Sequence, residues 1–231
     1  MKVGIICASQ NELAPFLPHL DEKQTCKKAM LTFHEGTLCG FPAVLAYSGI
    51  CKVNAAICAQ ALIDSFDVSI ILNAGTAGGM DRRVRLFDTV VSSQLAYHDV
   101  EKGILTDFHP WMPSAFFQAD EALLACSKAA ASAFPPEHRI LWGRTVTGEA
   151  FISDQGREEI NRAFSPLAVD MESAAIAHVC YANAVPFLSV RTITDTQEQA
   201  GEDVFARNCS KASAISRDFI LALLARLPGR E

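Results

Sequence analysis

Three acidic residues stand just beyond short apolar runs of the sequence: Glu12, Glu172 and Asp195. In α/β sheets, ligands bind outside the carboxyl ends of strands, where these acids would lie. A carboxylate that stays ionised can accept hydrogen bonds from a sugar diol, and one in a drier setting can hold a proton and act as an acid. If the three acids share a cleft, their chemistry is therefore that of a site for a sugar-containing ligand with acid–base catalysis.

Each acid also has a purely structural interpretation. Glu172 opens a predicted helix, where free backbone N–H groups favour the ionised form of a carboxylate, so it could merely cap that helix. Asp195 could cap a turn. Ser9 and Glu12 have the spacing of a capping box, in which the two side chains satisfy the first N–H groups of a helix. On the residues alone, both interpretations stay open.

The elements that would position these acids alternate between strand and helix. Residues 167–171 form an apolar run, residues 173–181 are rich in alanine with apolar residues at helical spacing, and residues 187–193 are apolar and β-branched. This predicts a strand, a helix and a strand.

The rest of the chain continues the alternation without a repeat or a linker. We predict further strands at 3–7, 31–35, 43–47, 69–72, 87–92 and 140–147, the second and third forming a hairpin. Further helices are predicted from residue 9 to near 18 and at 52–66, 120–134, 155–163 and 204–227, with a long irregular loop at 103–117. The sequence therefore predicts one α/β domain over residues 1–231, layered helix–sheet–helix.

The amino-acid composition argues against several classes of binding partner and cellular location. The chain has 231 residues, half of them apolar, and a net charge of −6 without a block of Lys or Arg, which argues against nucleic acid. No run approaches the roughly 20 apolar residues that cross a membrane. The apolar run at 3–8 is too short for a secretory signal and soon meets Gln10, Asn11 and Glu12. We therefore expect a cytoplasmic protein whose partner is a small molecule.

The cysteines and histidines do not indicate a metal or a redox centre. None of the eight cysteines forms a Cys-x-x-Cys pair, and the six histidines lack metal-ligand spacing. We expect reduced, mostly buried thiols, and no metal or other cofactor.

Two further stretches could contact a ligand. In residues 75–79 (Gly-Thr-Ala-Gly-Gly), glycines after a buried strand let the backbone approach a ligand closely, although a tight turn is the plain alternative. The stretch is neither a dinucleotide fingerprint nor a P-loop. In the second stretch, Phe151 could stack on a planar base while the backbone of Ile152 binds the base edge. A buried core phenylalanine is the alternative for Phe151.

Several motifs in this order carry a resemblance to a known family: Val3-Gly-Ile-Ile with Glu12, Ser48-Gly-Ile-x-Lys-Val53, Ala77-Gly-Gly79, Tyr97-His-Asp99, Ala150-Phe-Ile152, Met171-Glu172 with Ala175-Ile-Ala-His-Val-Cys180, and Val190-Arg191 with Asp195. With them the whole chain resembles the 5′-methylthioadenosine/S-adenosylhomocysteine nucleosidases of the nucleoside phosphorylase superfamily. The resemblance implies a central twisted mixed sheet, a homodimer, and release of adenine by hydrolysis of the N-glycosidic bond in both substrates.

The resemblance also implies roles for single residues. Glu12 would be the base that activates water, Asp195 the acid that protonates N7 of adenine, and Glu172 the ligand of the ribose hydroxyls. The remaining implied contacts are Phe151 and Ile152 with the base, Met171, Thr76 and Gly78 with the ribose, Arg191 close to the site, and Ile50 and Phe205 with the 5′ substituent.

The chain departs from the family pattern at several positions. Ser9, Thr76 and Thr194 stand where Met, Ser and Ser are usual, and Phe87 stands where a glycine is usual. Residues 101–117 form a shorter loop without the tyrosine that, in the family, reaches the partner subunit's thioalkyl pocket. These departures leave the preferred 5′ group open.

Two other functions are compatible with these residues. A nucleoside phosphorylase would need a cationic phosphate site, for which Arg82, Arg83 and Arg85 are candidates, although a solvated turn is their simpler interpretation and Glu12 would repel phosphate. A non-catalytic nucleoside-binding protein should lack at least one of the three acids, and all are present.

The helix at 52–66 is apolar on more faces than its own sheet should cover, which independently predicts a homodimer.

Overall fold

The computed structural model describes residues 1–109, 111–153 and 156–229. Within these ranges the strands are β1 Val3–Cys7, β2 Leu20–Lys28, β3 Leu31–Leu38, β4 Phe41–Tyr47, β5 Ile70–Gly79, β6 Thr89–Tyr97, β7 Phe116–Gln118, β8 Ile140–Thr147, β9 Ala168–Asp170 and β10 Phe187–Asp195. The α helices are α1 Gln10–Leu13, α2 Lys52–Phe66, α3 Ile104–Asp107, α4 Glu121–Ala131, α5 Arg157–Phe164, α6 Ser173–Ala182 and α7 Glu202–Leu224, and a 3-10 helix spans Ala14–His19.

The strands form a single mixed sheet that partly closes on itself. β5 pairs in parallel with β1 and β10, β10 is antiparallel to β6, β6 and β9 are both parallel to β8, and β9 returns antiparallel to β5. From β1 the sheet continues through β4 and β3 to β2. The closed circuit brings the carboxyl ends of β5, β9 and β10 together, which is the geometry that the candidate site needs.

Helices cover both faces of the sheet. All residues of β1 and β10 are buried, as expected for strands with a helical layer on each side. The helices α4 and α7 pack on one face through a core that includes Leu123, Phe219 and Leu223. The helices α2 and α6 pack on the other through Ala55, Leu62 and Ile176, among others. The predicted three-layer α/β/α architecture is confirmed.

Where hydrophobic pattern was strong, the predicted elements are confirmed. The hairpin is formed by β3 and β4, and α2 and β8 have the predicted bounds. The edge strand β2 was not predicted, because all of its residues after Leu20 are exposed and no apolar alternation marks it. The predicted loop at 103–117 contains α3 and the start of β7. Gln155, the predicted start of α5, lies outside the described residues.

Two predictions need correction. The first helix is only one α turn, followed by a 3-10 helix that contains Pro15 and Pro18, because proline lacks the N–H that an α helix needs. The glycine-rich residues 75–79 are not a tight turn but the end of β5, where residues 75–78 pair with β10 and residues 78–79 pair with β9.

The structure can be compared with the expectations of reduced, mostly buried thiols and of no membrane-spanning segment. No disulfide joins the cysteines of the described chain, and four are buried: Cys7, Cys58, Cys180 and Cys209. Burial thus applies to half of the eight thiols rather than to most. Among the described helices, none has the length and apolar character that would let it cross a membrane.

Candidate active site

A cavity opens at the carboxyl ends of β1, β5, β9 and β10. Ten of the eleven residues singled out from the sequence line it: Glu12, Ile50, Thr76, Gly78, Phe151, Ile152, Met171, Glu172, Asp195 and Phe205. The eleventh, Arg191, lies fully buried beneath its floor, where it contacts two of the acids. The structure therefore brings the predicted set together.

Glu12 is both a helix cap and part of the cavity wall. Its Oε2 accepts hydrogen bonds from the backbone N–H groups of Ala8 (2.8 Å) and Ser9 (3.1 Å), and Ser9 Oγ accepts one from the Glu12 N–H, which completes the capping box. Its Oε1 accepts from the backbone N–H (2.7 Å) and the hydroxyl (2.8 Å) of Thr76. The two interpretations of Glu12 are thus compatible, since the capping geometry aims the carboxylate at the cavity.

A glycine beside Glu12 permits this arrangement. A Cβ atom on Gly75 would lie 2.6 Å from Glu12 Oε1 and 2.8 Å from Arg191 Nη1. Any larger residue would displace the carboxylate or the guanidinium, so the close approach of β5 explains the glycine.

Glu172 makes no side-chain cap for α6, although it occupies the cap position. Its Oε1 accepts from the N–H of Cys51 at 3.0 Å, and its Oε2 lies 3.3 Å from Arg191 Nη2. Burial raises the pKa of Glu172 to about 7, with Arg191 opposing the rise and Asp170 and Glu12 adding to it. Desolvation is thus the larger effect on this carboxyl group, and it outweighs the charges and N–H groups that favour the ionised form.

Cys51, the residue just before α2 that donates to Glu172, has an unusual backbone. Cys51 has φ 84° and ψ 162°, a region that is almost restricted to glycine and costs about 1–3 kcal/mol for other residues. That conformation points its N–H at Glu172. The strain, which the sequence pattern does not reveal, thus serves to aim a donor into the site.

Asp195 ends β10 and is only 1% exposed. Its Oδ1 accepts from the hydroxyl of Thr194 at 3.0 Å. Its Oδ2 has no hydrogen-bond partner within the described part of the chain, although Arg157 Nη2 lies 3.6 Å away. Burial raises the pKa of Asp195, and Thr194 and Arg157 only partly offset this effect. A raised pKa suits a carboxyl group that must carry a proton to a ligand.

The cavity floor is held by one ion cluster. Arg191 Nε lies 3.0 Å from Asp170 Oδ2, and its Nη2 and Nη1 lie 3.3 Å and 4.0 Å from Glu172 and Glu12. A buried guanidinium with several carboxylate partners fixes their spacing, since its donors have a rigid planar geometry.

Asp170 is a site residue that the sequence interpretation missed. Its Oδ1 accepts from the hydroxyl of Thr147 (2.6 Å) and from the N–H groups of Glu172 (3.3 Å) and Ser173 (3.1 Å), so Asp170 caps α6 in place of Glu172. The available signal was an acid inside an apolar run two residues before Glu172. Asp170 fixes the start of the helix that carries Glu172.

The outer end of the cavity is aromatic. Phe151 is 38% exposed and meets Phe205 edge to face, with ring centroids 6.1 Å apart. Phe151 is therefore not a core phenylalanine, and one face is available to a planar ligand. The N–H of Glu149 donates to Asp99 Oδ2 (2.9 Å), which also accepts from Lys52 Nζ (2.9 Å), so the segment between β8 and Phe151 is tied to the start of α2.

The three arginines considered for phosphate lie elsewhere. Arg82 and Arg85 line a separate cleft with residues 196–199, and Arg83 pairs with Asp81 at 2.8 Å. Within the described residues, the wall of the main cavity contains no Lys or Arg side chain. The cavity therefore combines four carboxyl groups (Glu12, Asp170, Glu172 and Asp195), an aromatic platform and an apolar lining, which suits a neutral or cationic ligand better than an anion.

Comparisons with known proteins agree with this geometry. Residues 2–225 match the model of the phosphorylase superfamily. The 5′-methylthioadenosine/S-adenosylhomocysteine nucleosidase of an Exiguobacterium species is 35% identical, over 98% of this chain and 99% of that protein. A crystal structure of the Colwellia psychrerythraea nucleosidase of that name, in complex with adenine, superposes with a TM-score of 0.90 at 33% identity, over 98% and 96% of the chains. The futalosine hydrolase of Helicobacter pylori is also similar, with a TM-score of 0.88 at 27% identity and 98% of both chains covered.

Proposed function

The chain belongs to the 5′-methylthioadenosine/S-adenosylhomocysteine nucleosidases within the phosphorylase superfamily, and we propose that it hydrolyses the N-glycosidic bond of both nucleosides to release adenine. The observation that carries this proposal is the placement of Glu12, Glu172 and Asp195 around one cavity that ends in Phe151 and Ile152. This arrangement offers a base, a ligand for a diol and an acid on different sides of a nucleoside.

Asp195 would act on the departing base. Cleavage leaves negative charge on the purine, and a protonated carboxyl group at N7 neutralises it. Asp195 Oδ2 is buried, lines the cavity and lacks a hydrogen-bond partner among the described residues, so a purine nitrogen would satisfy it. Phe151 would stack on the purine, and the backbone of Ile152 would bind its edge.

Glu12 would act on the attacking water. The same cleavage leaves positive charge on the ribosyl ring, which a water molecule must attack with loss of a proton, much as carboxyl pairs work in glycosidases. Of the donors on Glu12, three are fixed backbone N–H groups and the fourth is the Thr76 hydroxyl, which can rotate. A water molecule would replace that hydroxyl and pass its proton to Oε1.

Glu172 would bind the ribose hydroxyls. Burial raises its pKa to about 7, close to neutral pH. Two hydroxyl donors from a ribose would favour the ionised form, because hydrogen bonds to a carboxylate stabilise its charge. Beyond the ribose, Ile50 and Phe205 offer apolar surface for a thioalkyl 5′ group.

The direct test is release of adenine from methylthioadenosine by the purified protein, followed with and without phosphate and with a chelator present. We expect equal rates in all three conditions, because the site supplies its own acid and base. A requirement for phosphate would establish the phosphorylase alternative, and binding without turnover would establish the non-catalytic one.

We also propose that the protein works as a homodimer of single-domain chains (1–231) in the cytoplasm. Two residues of α2, Val53 and Ile57, are 69% and 44% exposed, and Tyr181 on the adjoining helix α6 is 46% exposed. Apolar side chains grouped on neighbouring helices are typical of a buried interface. Sedimentation at micromolar concentration should give a dimer, and a V53E/I57E variant should give a monomer. A monomeric wild-type protein would contradict the dimer.

A further inference from the structure

Arg157 is a buried arginine with no role in the proposed chemistry so far. It is the first residue of α5 and is only 1% exposed, which is rare for an arginine. The side chain reaches from α5 under the wall of the cavity. A charged group at this depth is retained only where other groups compensate its charge, so its contacts indicate what it does.

The guanidinium of Arg157 contacts Asp195 and the backbone carbonyl groups of Ile152 and Gly79. Its Nη2 lies 3.6 Å from Asp195 Oδ2 and donates to the carbonyl oxygen of Ile152 at 3.2 Å. Its Nη1 donates to the carbonyl oxygen of Gly79, at the end of β5. One rigid planar group thus connects the candidate acid, the backbone at the base edge and the end of β5.

We propose that Arg157 is a positioning residue that holds Asp195 and the backbone at Ile152 in one arrangement, so that N7 and the amino edge of adenine meet their partners together. The inference rests on the proposed function, since it assigns the work of Arg157 through the acid and the base-binding segment. Arginine suits this task better than lysine, because its planar fork donates in several fixed directions at once.

The charge of Arg157 also affects the acid. Burial raises the pKa of Asp195 and Arg157 lowers it, so the cation limits the rise. Among the described residues, the other charged groups at this cavity are Glu12, Asp170 and Glu172 on its wall and Arg191 beneath it, and substitutions of Arg157 leave them in place. An acid catalyst works in its protonated form, so its activity falls as the pH rises through its pKa. Removal of the cation should therefore move this alkaline limb to higher pH.

The test compares R157M, which removes the charge and the donors, with R157K, which keeps the charge but not the planar fork of donors. Arg162 lies on the same helix and is exposed, so R162M is the matched control. For R157M we expect the alkaline limb of kcat to move up by about one pH unit or more, the low end of the effect of an adjacent arginine on an aspartate. We expect KM for methylthioadenosine to rise roughly fivefold, equivalent to one lost hydrogen bond of about 1 kcal/mol.

R157K should keep the alkaline limb near that of the wild type but still show a raised KM, and R162M should change neither. Folded R157M with the wild-type limb and KM would overturn the proposal. Failure of both R157M and R157K to fold would overturn it too, by making Arg157 a folding residue. Wild-type protein that does not release adenine would instead refute the proposed function, so the two failures are distinguishable.

Discussion

Replacement of Asp195 by asparagine is expected to lower the turnover of methylthioadenosine by roughly 10²–10⁴-fold, the usual contribution of a general acid. Asparagine has nearly the same size, and its side-chain oxygen can still accept the hydrogen bond from Thr194. It cannot pass a proton to N7, so the purine must depart with its negative charge unquenched. The loss should therefore fall on kcat, with far less change in KM, because the proton matters only in the transition state.

The measurement is steady-state kinetics of folded D195N, with the binding of adenine as the check that the cavity is intact. A free energy of unfolding equal to or above that of the wild type would also fit, since a buried carboxyl group with a raised pKa favours neutral replacements. If folded D195N keeps more than about a tenth of wild-type turnover, Asp195 is a structural residue and the acid lies elsewhere.

Replacement of Glu12 by glutamine is expected to cause a comparable loss of roughly 10²–10⁴-fold, because the water then lacks a base. The glutamine nitrogen must also face N–H donors on one side, either those of Ala8 and Ser9 or those of Thr76. We therefore expect a lower melting temperature as well, and activity must be expressed per folded molecule. Glu198 is exposed, so E198Q controls for the loss of one negative charge.

The double variant, E12Q with D195N, should lose less than the product of the two single losses. Base and acid act in one chemical step, and groups that act as a unit are not additive. E12Q that melts at a lower temperature yet keeps wild-type turnover per folded molecule would reduce Glu12 to its role in the capping box.

More of the fold than of the site's details could be predicted from the sequence. Apolar runs and helical spacing predicted α2, β8 and the strand–helix–strand around Glu172, because burial there is decided by local pattern. β2 could not be predicted because its strand conformation depends on pairing with β3 and not on its own composition. The predicted strand at 69–72 stopped short of residues 75–79 because their glycine content is a local signal of a turn, whereas the pairing with β10 is a long-range contact.

In the candidate site, too, the features that depend on long-range contacts could not be predicted from local sequence patterns. Resemblance identified the cavity-lining residues, but Asp170 and Arg157 act through contacts with residues 23 and 38 positions away, which no local pattern encodes. The backbone strain at Cys51 is likewise set by its contact with Glu172, far along the chain. The raised pKa of Glu172 depends on burial, and the sequence alone favoured the helix N-terminus instead.

The most direct test of hydrolysis by this site is the fate of the sugar when methylthioadenosine is turned over in ¹⁸O-labelled water with phosphate present. If Glu12 activates water and Asp195 protonates the purine, the sugar product is free methylthioribose with one ¹⁸O atom at C1, formed at a rate that does not depend on phosphate. Methylthioribose 1-phosphate without the label would contradict this chemistry.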